Sequence, residues 1–333
     1  MNTVLIGCGQ VAAGYAIDPQ YAKFYRYSTH AQVLHAHPDF NWVAAVDPAE
    51  RARAAISKQW TRIVTVPSVK DLPSEIAQFD VAVIATPPKL RMEVIRGLPG
   101  SVRAILVEKP LALTVKECQS IIRHCRKQSI RLQVNLWRRA DELHRRLAAG
   151  ELKKYIGTLS GIGIVYGGGL RNTGTHLMDF LEMMGGSIDT VTALPDPADP
   201  DAKDPSYSAV IALKSGMTAT LLAVDAARYR ALSIDMWGTT GLLRISQEGL
   251  RSEVWPVRGH RALSGAREIA CDEPGKVLRP TVGEAFYHLY TNLAEAGRGG
   301  EALWASGETA CRAGQVVAAI EQSAKAGGKL VRL

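Results

Sequence analysis

The sequence predicts two domains: an α/β domain built on a doubly wound parallel sheet, then an α+β domain carrying a large, mostly antiparallel sheet. Three observations predict this. Over the first 136 residues, short β-branched runs alternate with helix-like stretches, as βαβ units around a parallel sheet require. A glycine-rich turn directly follows the first run. Beyond Gly157 the runs lengthen and alternate in polarity, the pattern of antiparallel strands with one face in water. The boundary is placed between 134 and 135, giving domains 1–134 and 135–333.

The strand-like runs of the first domain are Thr3–Gly7, Trp42–Asp47, Arg62–Val66, Val81–Thr86, Ala104–Lys109 and Arg131–Leu136. Helices are expected over Ser28–Ala36, Lys89–Gly97 and Val115–Gln128, with Ser28 as a candidate N-cap. In the second domain the alternating runs are Thr158–Tyr166, Tyr207–Lys214, Thr218–Val224 and Leu232–Gly238, with a turn at Ser215-Gly216. The Asp- and Pro-rich stretch Asp196–Ser206 reads as a polar loop outside the core. Gly283–Ala296 and Gly307–Ala326 read as C-terminal helices.

Composition excludes several classes. With 333 residues, 47% of them hydrophobic, the chain can bury a substantial core. No apolar run reaches the length of a membrane span, and no secretory leader is expected from the residues before the first strand. The five cysteines form no CxxC pair, which argues against a zinc site or disulfide framework and for a reducing cytoplasm. The net charge of +8 is scattered, without a nucleic-acid-binding pattern. It suits an anionic cofactor or substrate.

The glycine turn reads GxGxxA over Gly7-Cys8-Gly9-Gln10-Val11-Ala12. Gly7 permits a tight turn, Gly9 lets backbone approach a pyrophosphate, and a small residue at 12 allows close helix–strand packing, as in a Rossmann domain. Asp47 ends the second strand, where a carboxylate binds ribose hydroxyls and repels a 2′-phosphate. NAD is therefore expected rather than NADP, although Arg51 and Arg53 lie close in sequence. Asp47 also reads as a turn or cap residue. One departure is the stretch Tyr15–Tyr27, which carries Asp18-Pro19 and five aromatics where a helix should continue. Its rings suit a cleft or subunit interface; a self-packed loop is the alternative.

Val107-Glu108-Lys109-Pro110 closes the fifth run, at the edge where α/β sheets bind ligands. A lysine there reaches a substrate oxygen. In Asn172-Thr173-Gly174-Thr175-His176, a helix beginning near Thr173 would put Asn172, His176 and Asp179 on one face. An imidazole titrates near neutrality, as proton exchange with an alcohol requires, although a lone histidine is more often structural.

Together these pieces resemble the Gfo/Idh/MocA oxidoreductases, which include glucose–fructose oxidoreductase and inositol dehydrogenase. The matching residues are Gly7–Ala12, Asp47, Ala85-Thr86-Pro87, Glu108-Lys109-Pro110, Arg138-Arg139, Gly168-Gly169-Leu170, Gly174-x-His176-x-x-Asp179 and Gly238-Thr239-Thr240-Gly241. The resemblance implies Lys109 as the active-site lysine, a cis bond before Pro110, His176 as general acid/base, and Asn172 as the third catalytic position. It puts Gln10, Val11, Ala85, Thr86, Pro87, Glu108 and Lys109 with the glycines and Asp47 on the cofactor. Arg91, Asn135, Arg138, Asn172, Thr175 and His176 fall on the substrate side, and no metal is implied. Many members have Asp where this chain has Asn172, which cannot share a proton with His176 but can bond a substrate hydroxyl. Arg91 replaces a frequent histidine, and its guanidinium would bind a carboxylate or phosphate, or be solvated. The strand Thr158–Tyr166 runs straight into Gly167-Gly168-Gly169, without the loop many members have. The Asn-x-Gly-Thr-His pattern resembles members of nucleotide-sugar metabolism.

The function implied is hydride transfer between nicotinamide and a hydroxyl or carbonyl carbon of a sugar, cyclitol or nucleotide sugar. Two alternatives stand beside it: an NAD-using glycosidase or epimerase without net redox, and a non-catalytic NAD-sensing regulator. The expected partners are a small carbohydrate-like molecule and further copies of the chain, as homodimer or homotetramer through the second-domain sheet. Neither nucleic acid nor membrane is expected.

Overall fold

The computed structural model describes residues 1–17 and 19–333, with the side chains of residues 16 and 17 outside that description. Asp18, half of the expected Asp-Pro break, lies outside the described residues.

The chain folds as two compact units, Met1–Asp141 with Gly283–Cys311, and Glu142–Val282 with Arg312–Leu333. The sequence boundary at 134/135 differs from this in one respect that matters. The helix Ala285–Gly297 belongs to the first unit, since its Phe286, Leu289, Tyr290 and Leu293 lie in that unit's core. The Gln133 side chain also donates to its Leu289 carbonyl at 3.0 Å. Packing partners far apart in sequence set this, and no local signal announces it.

The first unit holds a six-stranded parallel sheet: β1 (Asn2–Ile6), β2 (Asn41–Val46), β3 (Val64–Val66), β4 (Val81–Ile84), β5 (Ala104–Val107) and β6 (Arg131–Val134). Their order is β3-β2-β1-β4-β5-β6, so the topological switch point lies between β1 and β4. β4 and β5 are buried at every residue, which is why they read as continuous apolar runs. Helix Val115–Lys127 starts on a capping box of Thr114 and Glu117.

The helix after β1 is split. A first turn closes with Ala13 N–H to the Gly9 carbonyl at 3.1 Å and Tyr15 N–H to the Gln10 carbonyl at 3.0 Å. The helix proper is His30–Ala36, capped by Thr29 with Gln32, not by Ser28 as expected. His30 and Ala31 donate to the carbonyls of Val11 and Ala12 at 3.2 and 2.9 Å. The main-chain ladder thus bridges the intervening stretch. Within that stretch Tyr15, Tyr21 and Tyr25 stack in series, with centroids 5.9 and 4.4 Å apart. Tyr27 instead stacks on Tyr287 at 4.9 Å, and Phe24 is exposed, so only part of the stretch packs on itself.

The second unit carries a sheet of ten strands. They are β7 (Leu159–Tyr166), β8 (Ile188–Ala193), β9 (Ala209–Leu213), β10 (Thr218–Ala223), β11 (Leu232–Gly238), β12 (Gly241–Ser246), β13 (Arg251–Gly259), β14 (Arg267–Ile269), β15 (Lys276–Leu278) and β16 (Val331–Arg332). The order is β14-β13-β12-β11-β7-β10-β9-β8-β16, with β15 beside β13. Among the described residues of this sheet, β7 and β10 pair in parallel and the other neighbours antiparallel. Along β10, Ala219, Leu221 and Ala223 are buried while Thr218, Thr220 and Leu222 are exposed, the half-solvated alternation expected. No helix among the described residues is long and apolar enough to cross a membrane.

Candidate active site

The first unit's site residues form one row. In the last rung of the sheet Ile6, Val46, Ile84, Val107 and Val134 lie side by side. The residues one step further are Gly7, Asp47, Ala85, Glu108 and Asn135. Each donates its N–H to a carbonyl of the neighbouring strand: Gly7 to Val46 (2.8 Å), Asp47 to Val66 (3.1 Å), Ala85 to Ile6 (2.8 Å), Glu108 to Ile84 (2.9 Å) and Asn135 to Val107 (2.7 Å). The ladder therefore fixes five sequence-predicted positions along the carboxyl edge, at roughly 4.8 Å spacing.

At the switch point Gly7 has φ +93, and a Cβ there would stand 2.8 Å from the Ala85 carbonyl carbon. At Gly9 a Cβ would meet nothing within 4 Å, so the backbone there is open to a ligand. Ala12 is fully buried, which accounts for the small residue. Val11 packs against the core, and the Gln10 side chain lies back against Gly14. Asp47 accepts the N–H of Cys8 and that of Ala49, both at 2.8 Å. A carboxylate has about four acceptor positions, so these bonds hold the glycine turn and leave room for hydroxyls. Arg53 spends Nη1 on the Asp47 and Pro48 carbonyls, at 2.8 and 3.0 Å. The Thr86 hydroxyl is buried with no hydrogen-bond partner, as is the Asn135 amide oxygen. An open glycine cradle, a carboxylate ending β2 and an orphaned hydroxyl after β4 are what a dinucleotide would satisfy.

Replacing Asp47 by alanine should weaken NAD binding by about ten- to a hundredfold, the worth of hydrogen bonds to a charged group. It should weaken NADP binding less. Titrating both cofactors checks this, and equal losses would reduce Asp47 to a loop support.

Glu108 is buried and fully engaged. It accepts from His30 Nε2 at 3.1 Å, Asn135 Nδ2 at 2.5 Å and the Lys109 N–H at 3.1 Å. His30 Nδ1 meets the Tyr290 hydroxyl at 2.7 Å. Burial pushes the Glu108 carboxyl up, but His30, Asn135 and the Lys109 ammonium together hold it below the ordinary carboxylate range. The Lys109–Pro110 bond is cis. His30 and Tyr290 were not legible as site residues; a histidine opening a helix after a glycine turn was the only trace.

Arg91 departs from expectation. It is 2% exposed, its Nε donates to the Thr86 carbonyl at 3.1 Å, and its Nη1 contacts the Pro110 carbonyl. Burial draws its pKa down to about 10, which leaves it cationic at neutral pH. It ties the Thr86 loop to the Lys109–Pro110 loop and is not placed as a solvated anion receptor. Arg138 is buried too, its guanidinium 4.2 Å from the Trp137 ring centroid.

In the second unit β7 runs into Gly167–Gly169, and Gly168 and Gly169 have φ +80 and +93. A wide turn, Leu170–Gly174, follows before the helix Thr175–Gly185. The α-helix starts at Thr175 rather than near Thr173, and the wide turn before it is itself helical in backbone. Asn172 is exposed and donates its amide to the Gly168 carbonyl at 3.2 Å. Thr175 is buried, its hydroxyl on the Arg171 carbonyl at 2.6 Å. His176 and Asp179 lie in the helix, 8% and 2% exposed. Among the described residues no group of His, Cys, Asp and Glu is arranged to hold a metal.

Residues 1–136 match the model of an oxidoreductase family with an NAD-binding Rossmann fold. That segment is similar to the Gfo/Idh/MocA oxidoreductases. The matched segment, which holds the glycine turn, is accordingly of the NAD-binding type. No curated protein matches the chain in sequence. Its whole length has the fold of an oxidoreductase from Agrobacterium radiobacter solved with NAD+, L-tartaric acid and magnesium (TM-score 0.75, 19% identity, 100% of this chain and 98% of that one). It also has the fold of the WlbA dehydrogenase of Bordetella pertussis, solved with NADH and UDP-GlcNAcA (TM-score 0.72, 17% identity, 99% and 98%). The same fold serves a super-repressor mutant of Gal80p from Saccharomyces cerevisiae (TM-score 0.72, 15% identity, 100% and 97%).

Proposed function

We propose that this protein is an NAD-dependent dehydrogenase or reductase acting at a hydroxyl or carbonyl carbon of a sugar, cyclitol or nucleotide sugar. The observation that carries the reading is the row Gly7, Asp47, Ala85, Glu108 and Asn135 along the carboxyl edge of the sheet, with Lys109 next in the chain. Bound NAD supplies or accepts the hydride. Gly7 and Gly9 admit the pyrophosphate, and Asp47 takes the ribose hydroxyls. Thr86 and Asn135 offer buried acceptors with nothing else to bond. Glu108, anchored by His30 and Asn135, fixes the backbone from which Lys109 donates a hydrogen bond to substrate. His176 exchanges the proton of the reacting hydroxyl, and Asn172 and Thr175 belong to the segment that carries it. The scattered positive charge and the nucleotide-sugar ligand of the Bordetella protein favour an anionic sugar.

On the second-unit sheet Val210, Leu222 and Trp237 are exposed. Exposed apolar side chains on this face are the feature that favours a homodimer or homotetramer formed through it.

The test offers NAD, then NADP, with a panel of sugars, sugar acids, cyclitols and nucleotide sugars, following the reduced-nicotinamide band and product separately. One class should reduce NAD in step with product. Product without net absorbance change would replace this reading by a non-redox sugar enzyme. Tight NAD binding with no product from any class would replace it by a regulator.

A further inference from the structure

We infer that Asp204 is a positioning residue for the segment bearing Asn172 and His176, acting as its helix cap from a distant loop. This rests on the assignment of His176 as the proton-exchanging group. The segment begins at Gly169, which has no side chain to cap the N–H groups that a helical start leaves without internal partners. Four successive N–H groups are exposed to that cost, and all four are satisfied by three residues of the β8–β9 connection. Gly169 donates to the Ser206 hydroxyl at 3.0 Å and Leu170 to the Pro205 carbonyl at 3.1 Å. Arg171 donates to Asp204 Oδ1 at 3.0 Å, and Asn172 to Asp204 Oδ2 at 2.8 Å.

The strap is itself anchored. Asp199 receives the Ser206 N–H at 2.6 Å and the Ser206 hydroxyl at 3.0 Å, and Ser206 is fully buried. From the other side the Arg171 guanidinium forms a two-point ion pair with Glu321 at 2.6 and 2.9 Å. Gly169 is obligatory here twice over: its φ is +93, and a Cβ would collide with the Asp204 carboxylate. Placing an anion over the first N–H groups of a helical segment also satisfies the positive end of its dipole. The polar stretch Asp196–Ser206 therefore sets the angle at which the turn delivers His176.

Two measurements test this, with the compound of the panel above that turns over fastest. First, Asp204→Ala should speed amide hydrogen exchange at Arg171 and Asn172, and should lower kcat by about a hundredfold, the scale of a 1 Å misplacement. KM for NAD should not move. Asp204→Asn, which keeps one acceptor oxygen, should fall between wild type and alanine, and it serves where the alanine variant does not fold. Second, in a His176→Ala background Asp204→Ala should cost nothing further, because a positioning effect vanishes with the group positioned. Unchanged kcat in both Asp204 variants, or the same fall with and without His176, would overturn the proposal. Near-normal turnover in His176→Ala alone would instead remove the parent assignment, whatever Asp204 does.

Discussion

His176→Ala is expected to lower kcat by about two to four orders of magnitude, the usual worth of a positioned proton-exchanging group, while NAD binds as before. The two halves of this expectation have separate physical grounds. His176 is in the second unit, whereas the glycine turn, Asp47, Thr86 and Glu108 are all in the first, so the variant leaves the cofactor's contacts alone. An imidazole can exchange a proton with an alcohol, and this one is held in the first turn of a helix fixed at its start by four capping bonds, which restricts where it points. A glutamine there would keep hydrogen bonding but not proton exchange, and should be nearly as slow as alanine. Rapid turnover in both variants, measured with the compound that reduces NAD fastest, would leave His176 a structural residue.

The second large effect is expected at Gly7. An alanine there must adopt φ +93, which costs an L-residue about 1–2 kcal/mol. Its methyl would also stand 2.8–2.9 Å from the Ala85 carbonyl and the Thr86 nitrogen. These are main-chain atoms locked into the sheet by the Ala85 N–H bond to Ile6, so no side chain can swing aside. Gly7→Ala should therefore lose about 2–4 kcal/mol of stability and NAD binding with it. Gly9→Ala is the informative contrast. Its methyl meets nothing within 4 Å, so the melting temperature should hold while NAD affinity falls, because the methyl occupies the cradle. Equal melting temperatures for the two variants would contradict the geometry described for Gly7.

What the sequence disclosed follows from burial. All six strands of the parallel sheet were legible because buried strands read as apolar runs, and the edge residues after them carried their own motifs. Helix Glu50–Gln59 was not, since Ile56 is its only buried residue and no apolar stripe marks it. The fate of Arg91 was hidden because its partners are backbone carbonyls, which have no sequence signature. Asp204 was hidden for a related reason: it caps a helix more than thirty positions upstream, and capping rules recognise only local spacing. The placement of Ala285–Gly297 in the first unit rests likewise on Tyr290 reaching His30.

The divided helix after β1 has a bearing on how this protein tolerates change. Because Val11 and Ala12 receive the N–H groups of His30 and Ala31 directly, main chain clasps both ends of the intervening tyrosine-rich excursion. Its length and composition are therefore decoupled from the geometry of the phosphate-facing turn. Residues grafted into it, or trimmed from it, would reshape the local surface without retuning the coenzyme grip. Related chains can be expected to diverge there before they diverge at the glycines.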